Sequence, residues 1–294
     1  MIDILYEDKV VKFNGRMYPD SGWCMVLAGG PGSGKSTARK NLIPLEGKIL
    51  DPDDISNYLH KHFQPKTDFQ KKRYGGKYRN ANTGEVIDPS ERFSQDEMTM
   101  KNPEYVEYLY NLRGEIKNSK WHSMFANAIK DGDLPNIIFD TTGRSQSKID
   151  NAIRLAKSLG YKTSLVYIFA DIDVQLKNNA NRERVVPEQE LKRITYEVYE
   201  TLLDMVNNSN IPGSTMDIID EVWAVCGIDV DLKTREGKLE YIKTANVFNI
   251  KKMGEEINLD VGDIYDFIKS QMNKIDPNGN TFKESYYLSK VYGD

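Results

Sequence analysis

The sequence is poor in cysteine, in histidine and in long apolar runs. Its two cysteines, Cys24 and Cys226, each lie inside an apolar stretch, WCMVLA and VWAVCGI, the setting of a buried free thiol. So few exclude a disulfide-rich scaffold. The three histidines, His60, His62 and His122, form no ligand set with those thiols, so zinc is not expected. No apolar run approaches the ~20 residues that span a bilayer. The opening MIDILYEDKV carries Asp3, Glu7 and Asp8 where a secretion signal would start basic. A cytoplasmic, reducing compartment is expected. Excess positive charge is also lacking: Lys+Arg 40 against Asp+Glu 44 gives a net charge of -4. Any contact with nucleic acid must therefore be a local patch.

What remains is a chain of 294 residues, 39% hydrophobic and 29% charged, suited to a folded aqueous protein. Asn14-Gly15 between two short β-type runs signals a hairpin over 9–18. Five short apolar runs follow: 24–29, 48–51, 136–140, 163–170 and 221–228. Each is too short for a helix and nearly all apolar, as strands buried on both faces are. Helical spacing lies between them, as in Ile149, Ala152, Ile153 and Ala156 closed by Gly160, and in Leu191, Ile194, Val198, Leu202 and Met205. The alternation predicts an α/β fold: five mostly parallel strands with helices on both faces. Residues 1–229 read as that domain, with an insertion at 63–134 and a lid at 177–188. Residues 230–294 read as a C-terminal extension without a chemical signature. Within the insertion, 105–129 reads as helix.

The chemistry starts at GGPGSGKST: Gly29, Gly30, Pro31, Gly32, Ser33, Gly34, Lys35, Ser36 and Thr37. This fits G-x-x-x-x-G-K-[ST], a P-loop. Its glycines let backbone N–H groups surround phosphate oxygens. Lys35 brings a point charge to the outer phosphates, and the Ser36 hydroxyl suits Mg²⁺. Three further clusters narrow the class. LDPDDIS places Asp51, Asp53 and Asp54 after the second strand, at the sheet edge where ligands bind. A kinase needs a carboxylate there to take the proton of the attacking hydroxyl, and Asp53 is favoured, with Asp51 beside the acceptor. Helix capping by Asp53 or Asp54 is the plainer alternative. FDTTGRS follows the third strand: Asp140 is placed to support Mg²⁺ through water, and Thr142 and Arg144 to touch acceptor or phosphoryl group. NRERVVPEQELKR holds Arg182 and Arg184, candidates to close over phosphates, before a helix opened by Pro187 at its first position.

Taken in order, the P-loop, D-x-D, D-T-x-G-R and R-x-V-P segments resemble the kinases that include polynucleotide 5′-kinases and zeta toxins. The resemblance spans roughly residues 22–205. It implies ATP as phosphate donor with Mg²⁺, Asp53 as general base, Lys35 and Ser36 at phosphate and metal, and Arg182 or Arg184 as lid arginine. NIIFDTTGRS is similar to the zeta-toxin segment that meets a sugar-nucleotide acceptor, whereas KNNANRERVVPEQELKRITY is closer to the polynucleotide-kinase lid. Ser56 stands where polynucleotide kinases carry a strand-end arginine, and the phosphatase domain of some such enzymes is missing. Both departures weigh against simple 5′-end repair.

The stretch 66–80, KTDFQKKRYGGKYRN, interleaves six basic residues, Arg73 among them, with Phe69, Tyr74 and Tyr78. Basic groups meet phosphates and aromatics stack bases; a solvated loop reads equally well. With a nucleic-acid acceptor, DNA favoured, the pattern resembles bacteriophage kinases of 5-hydroxymethyluracil in DNA. Such an enzyme needs no terminus clamp but must flip its base. A zeta-toxin-like kinase of UDP-N-acetylglucosamine is the alternative. A GTPase is more distant: Asp140-Thr141-Thr142-Gly143 fits D-x-x-G and Asn273-Lys274-Ile275-Asp276 fits N-K-x-D. That second motif, however, follows helical spacing rather than a strand.

Overall fold

The computed structural model describes residues 10–13, 16–19, 22–43, 45, 47–50, 52–64, 76–79, 84–102, 104–109, 111–112, 136–182, 185–227, 229–230, 234–252, 254–260, 263–279 and 281–283. The chain divides into two units, one of residues 1–49 with 133–294 and one of residues 50–132.

In the first unit, β1 (Val10–Phe13) and β2 (Arg16–Pro19) pair antiparallel with Phe13 opposite Arg16, flanking the expected turn. The turn residues 14–15 lie outside the described set. The main elements are β3 (Trp23–Ala28), α1 (Lys35–Asn41), β4 (Lys48–Leu50), β7 (Ile137–Asp140), β8 (Lys162–Phe169) and β9 (Glu221–Cys226). With β10 (Asn246–Lys251) these strands form one sheet in the order β10-β9-β8-β3-β7-β4. β3 runs parallel to both β7 and β8, and β8 parallel to β9; β10 is antiparallel to β9. The five apolar runs are thus five strands of a mostly parallel sheet. A sixth comes from beyond residue 230, so the C-terminal stretch shares this unit.

Every residue of β3 and β7 is buried, as is all of β8 after Lys162. Helices on both faces require this. On one face Trp23, Met25, Leu27, Val166 and Ile168 pack with Ala38 of α1 and with Tyr241 of the later helix Arg235–Thr244. The other face receives the helix Gln146–Ser158, whose buried residues Ile149, Ala152, Ile153 and Ala156 are the ones the spacing picks out. Gly160 follows it at φ 83, the left-handed geometry of a helix stop. The helix Glu188–Asn207 buries Leu191, Val198, Leu202 and Met205. Pro187 is its N-cap rather than its first helical residue, a shift of one position from the sequence reading. Cys24 is buried and Cys226 half-buried, both as free thiols; burial pushes the Cys24 thiol up to about 12.

The second unit carries α2 (Pro52–Phe63), the short pair β5 (Tyr78–Arg79) and β6 (Val86–Ile87), a 3-10 turn at Pro89–Glu91 and helical residues 104–109 and 111–112. Its own core joins Leu59, Phe63, Ile87, Phe93, Met98, Tyr105 and Leu109. α2 begins at Pro52, so Asp53 and Asp54 lie inside its first turn. Residue 51 lies outside the described residues, as do 110 and 113–129 of the expected long helix.

The remaining helices of the first unit are named in chain order: Gln146–Ser158 is α3, Ile172–Ala180 α4, Glu188–Asn207 α5, Thr215–Ile218 α6, Arg235–Thr244 α7 and Ile264–Ile275 α8.

Candidate functional site

The loop between β3 and α1 leaves the central region of the sheet at its carboxyl edge. Connections run to opposite sides from here, which opens the crevice used by ligands of α/β sheets. Gly32 and Gly34 sit at φ 79 and 92, a region side chains avoid. A Cβ on Gly30 would lie 2.7 Å from Thr195 Oγ1 and 2.8 Å from Gln175 Oε1, and one on Gly32 would strike the carbonyl oxygen of Gln175. The loop is braced from within. Lys35 Nζ donates to Gly29 O at 2.8 Å, Ser33 N to Gly30 O at 3.2 Å, and Gly29 N to Thr142 O at 3.0 Å. Ser33 is 2% exposed, and its Oγ has no hydrogen-bond partner among the described residues. A buried hydroxyl without a partner costs about 1–3 kcal/mol, and a phosphate oxygen in the loop would remove that cost. Gly32→Ala should therefore weaken nucleotide binding at least ~10-fold through combined φ strain and backbone clash; titration calorimetry with MgATP checks this.

Asp140 closes β7, in register with Leu27 of β3. It is 5% exposed, and Arg39 Nη1 of α1 donates to its Oδ2 at 3.0 Å. This ion pair, whose Arg39 the sequence reading missed, joins α1 to the end of β7 beside the loop. No group of three metal-ligating side chains occurs among the described residues. The Asp140 carboxylate and the Ser36 hydroxyl are oxygen donors of the kind Mg²⁺ takes together with water and phosphate oxygens. Ser36 is exposed on the first turn of α1.

The segment after Asp140 is tied to the loop through Thr142 O, and Thr141 N donates to Leu27 O at 2.9 Å. Gly143 has φ 79, and a Cβ there would lie 2.5 Å from that of Ala28; the glycine is required by close approach. Arg144 is anchored twice by α5. Its carbonyl accepts from Thr201 Oγ1 at 2.9 Å, and its Nη1 lies 3.6 Å from Glu197 Oε2. Arg193 also binds Glu197, at 2.5 Å, while holding Glu190 with two further N–H groups. Burial pushes the Glu197 carboxyl up in pKa, against the pull of the two arginines.

In the stretch 177–188, Arg182 is exposed in the turn after α4 and Arg184 lies outside the described residues. Asn179 fastens this segment: its Nδ2 donates to Val186 O at 2.7 Å and its Oδ1 accepts from Val186 N at 3.0 Å. Of the acceptor candidates, Asp51, Arg73 and Tyr74 lie outside the described residues, as does the side chain of Asp53. Within the second unit, Tyr78 packs at the margin of its core with its ring edge-on to His62, 5.7 Å between centroids. Lys77 pairs with Asp88 at 2.6 Å, and Arg79 donates to Gly84 O. Asn273, Lys274 and Ile275 belong to α8, and Lys274 binds Asp171 at 2.6 Å. The N-K-x-D match thus lies at the end of a helix rather than after a strand, with Lys274 ion-paired.

The residues missed by sequence reasoning are Arg39, Gln175, Asn178, Asn179, Thr195 and Glu197. A signal existed for two of them. Ile172, Gln175 and Asn179 are the buried residues of α4, spaced as one helix face, and two of the three are amides.

By sequence, no curated protein matches the chain. Among solved structures, the AvrRxo1-ORF1:AvrRxo1-ORF2 complex with sulphate ions is similar at 15% identity and TM-score 0.47, over 84% of this chain and 63% of that one. The AvrRxo1-ORF1:-ORF2 structure with ATP gives 14% and 0.47, over 86% and 64%. The PezAT chromosomal toxin-antitoxin system of Streptococcus pneumoniae gives 14% and 0.42, over 89% of each chain. This chain therefore spans less than two thirds of the AvrRxo1 chains. A family profile described as AAA domain matches residues 25–201, from β3 and the P-loop through Asp140 into α5. The chain belongs to the AAA domain family, with the α/β fold of a P-loop NTPase.

Proposed function

We propose that the protein is an ATP-dependent kinase that transfers the γ-phosphate to a hydroxyl of nucleic acid. The favoured acceptor is the hydroxymethyl group of 5-hydroxymethyluracil in DNA, ahead of a 5′-OH end. The observation that carries the nucleotide half is the loop itself: a glycine cradle, an unpartnered buried Ser33 hydroxyl and Lys35 folded onto Gly29 O. The acceptor half rests on the ordered motifs and on the basic-aromatic stretch 66–80.

In this reading Asp53 takes the proton of the acceptor hydroxyl as its oxygen forms a bond to the γ-phosphorus. The bond from that phosphorus to the β–γ bridging oxygen breaks, and ADP leaves. Lys35 holds charge that develops on the outer phosphates, and Arg182 or Arg184 reaches the transferred group from the lid. Ser36, with Asp140 acting through water, would hold Mg²⁺, which neutralises phosphate charge when bound. Thr142 and Arg144 meet the acceptor. The likeness of NIIFDTTGRS to the zeta-toxin segment supports a second reading, with UDP-N-acetylglucosamine as acceptor.

The test is transfer of labelled γ-phosphate into an acceptor panel. The panel holds DNA with free 5′-OH ends, end-blocked DNA containing hydroxymethyluracil, RNA and UDP-N-acetylglucosamine. Label in the end-blocked hydroxymethylated DNA is the expected result. Label only with free ends makes it an end kinase, and label only in UDP-N-acetylglucosamine overturns the nucleic-acid reading.

A further inference from the structure

Helix α4 backs the phosphate loop, yet little apolar surface holds it in place. Its buried residues are Ile172, Gln175 and Asn179. A nine-residue helix has marginal stability alone, and most surface helices are fixed by an apolar stripe. Here directional polar contacts take that part. Gln175 is 1% exposed: its Nε2 donates to Ala170 O at 2.8 Å, and its Oε1 accepts from Thr195 Oγ1 of α5 at 3.0 Å. The same amide oxygen would lie 2.8 Å from a Cβ on Gly30, and the backbone carbonyl of Gln175 stands against Gly32. One turn on, Asn178 Nδ2 donates to Gly32 O at 3.0 Å. Gln175 and Asn178 thus touch the loop at two of its glycines.

The head of α4 is held by α8. Asp171 caps α4 by accepting from Asp173 N. Gln271 of α8, 2% exposed, covers the same end. Its Oε1 accepts from Ile172 N at 2.8 Å, meeting a first-turn N–H that has no partner within the helix, and its Nε2 donates to Asp171 Oδ2 at 3.0 Å. Lys274 adds an ion pair to the same carboxylate. Ile264, Ile268 and Met272 bury the face of α8 that carries Gln271, and Phe267 meets Phe169 at 6.3 Å. A continuous polar path therefore runs from α8 through the capped end of α4 to the main chain of the phosphate loop.

We propose that α8 of the C-terminal stretch sets the conformation of the phosphate loop through α4. Gln271, Gln175 and Asn178 are then positioning residues for the nucleotide. This rests on the reading that the loop binds ATP. It gives the stretch beyond residue 230 a part in nucleotide affinity, although none of its residues need touch the ligand. Each link is a hydrogen bond whose loss is worth about three- to tenfold in an equilibrium constant.

The experiment is calorimetric titration of the full chain with MgATP, for wild type, Asn178→Ala, Gln271→Ala and the double variant, alongside thermal melts. Asn178→Ala should raise the Kd about three- to tenfold with little change in Tm, since its side chain is half-exposed. Gln271→Ala should raise the Kd from a distance. The double variant should fall short of the product of the two single effects, because both act on the same helix–loop contact. A purely structural Gln271 would lower Tm and leave the Kd of the folded protein unchanged, which overturns the proposal. Multiplying effects in the double variant overturn it as well. If Gln271→Ala does not fold, Asn178→Ala decides: a wild-type Kd there overturns the proposal. A wild-type chain that fails to bind MgATP at all instead overturns the nucleotide reading, and the proposal falls with it.

Discussion

Lys35→Ala should lower kcat/KM for phosphoryl transfer by about 10²–10³-fold or more and weaken MgATP binding, with the fold intact. The side chain leaves the first position of α1 and turns back onto Gly29 O. Its ammonium is thereby held in the loop that the glycines shape. Removing it costs a charge at the point where phosphate oxygens gather and takes nothing from the packed sheet beneath. Lys35→Arg should fail nearly as badly, because a planar guanidinium cannot replace a compact point charge in so tight a turn. Steady-state transfer of labelled γ-phosphate, with circular dichroism to confirm folding, measures both. Near-normal transfer by Lys35→Ala would remove the loop from the chemistry.

Asp53→Asn should lower kcat by about 10²–10⁴-fold, the range for loss of a general base, and leave the Kd for MgATP close to wild type. The two variants thus separate the halves of the proposed reaction, in which Lys35 holds the donor and Asp53 activates the acceptor. An amide keeps the shape of the side chain but cannot take a proton. Asp53 lies in the first turn of α2 after the edge strand β4. Rapid-quench measurement of one turnover shows whether the chemical step is the one slowed. Full activity in Asp53→Asn would pass the role to Asp51 or Asp54.

Much of this architecture is legible in the residues because it depends on local rules. Runs such as NIIFD and TSLVYIFA are too short for helices and apolar throughout, and they become β7 and β8, buried on both faces. GGPGSGKST needs its glycines wherever it occurs, and the positive φ values of Gly32 and Gly34 meet that need. The N-K-x-D match fails on the same grounds: the apolar spacing of Ile264, Ile268 and Met272 makes it the end of a helix. Less legible was the region after residue 230. The strand β10, at the sheet edge, is exposed at Asn246, half-buried over 247–249 and buried only at Ile250 and Lys251, and so lacks the apolar run that marks the inner strands.

The sequence by itself determined the phosphate loop, the parallel sheet that presents it and the order of the acidic and basic clusters along the chain. These follow from backbone sterics and from the period of apolar residues, which act over a few positions of chain. Only the tertiary structure decided which polar groups meet. Arg39 finds Asp140 across 101 positions, Gln271 finds Ile172 across 99, and Asn178 finds Gly32 across 146. Nothing in the local pattern encodes such pairs. They form because the sheet brings distant strand ends to one edge, and because a buried donor or acceptor must find a partner there or carry the cost of desolvation.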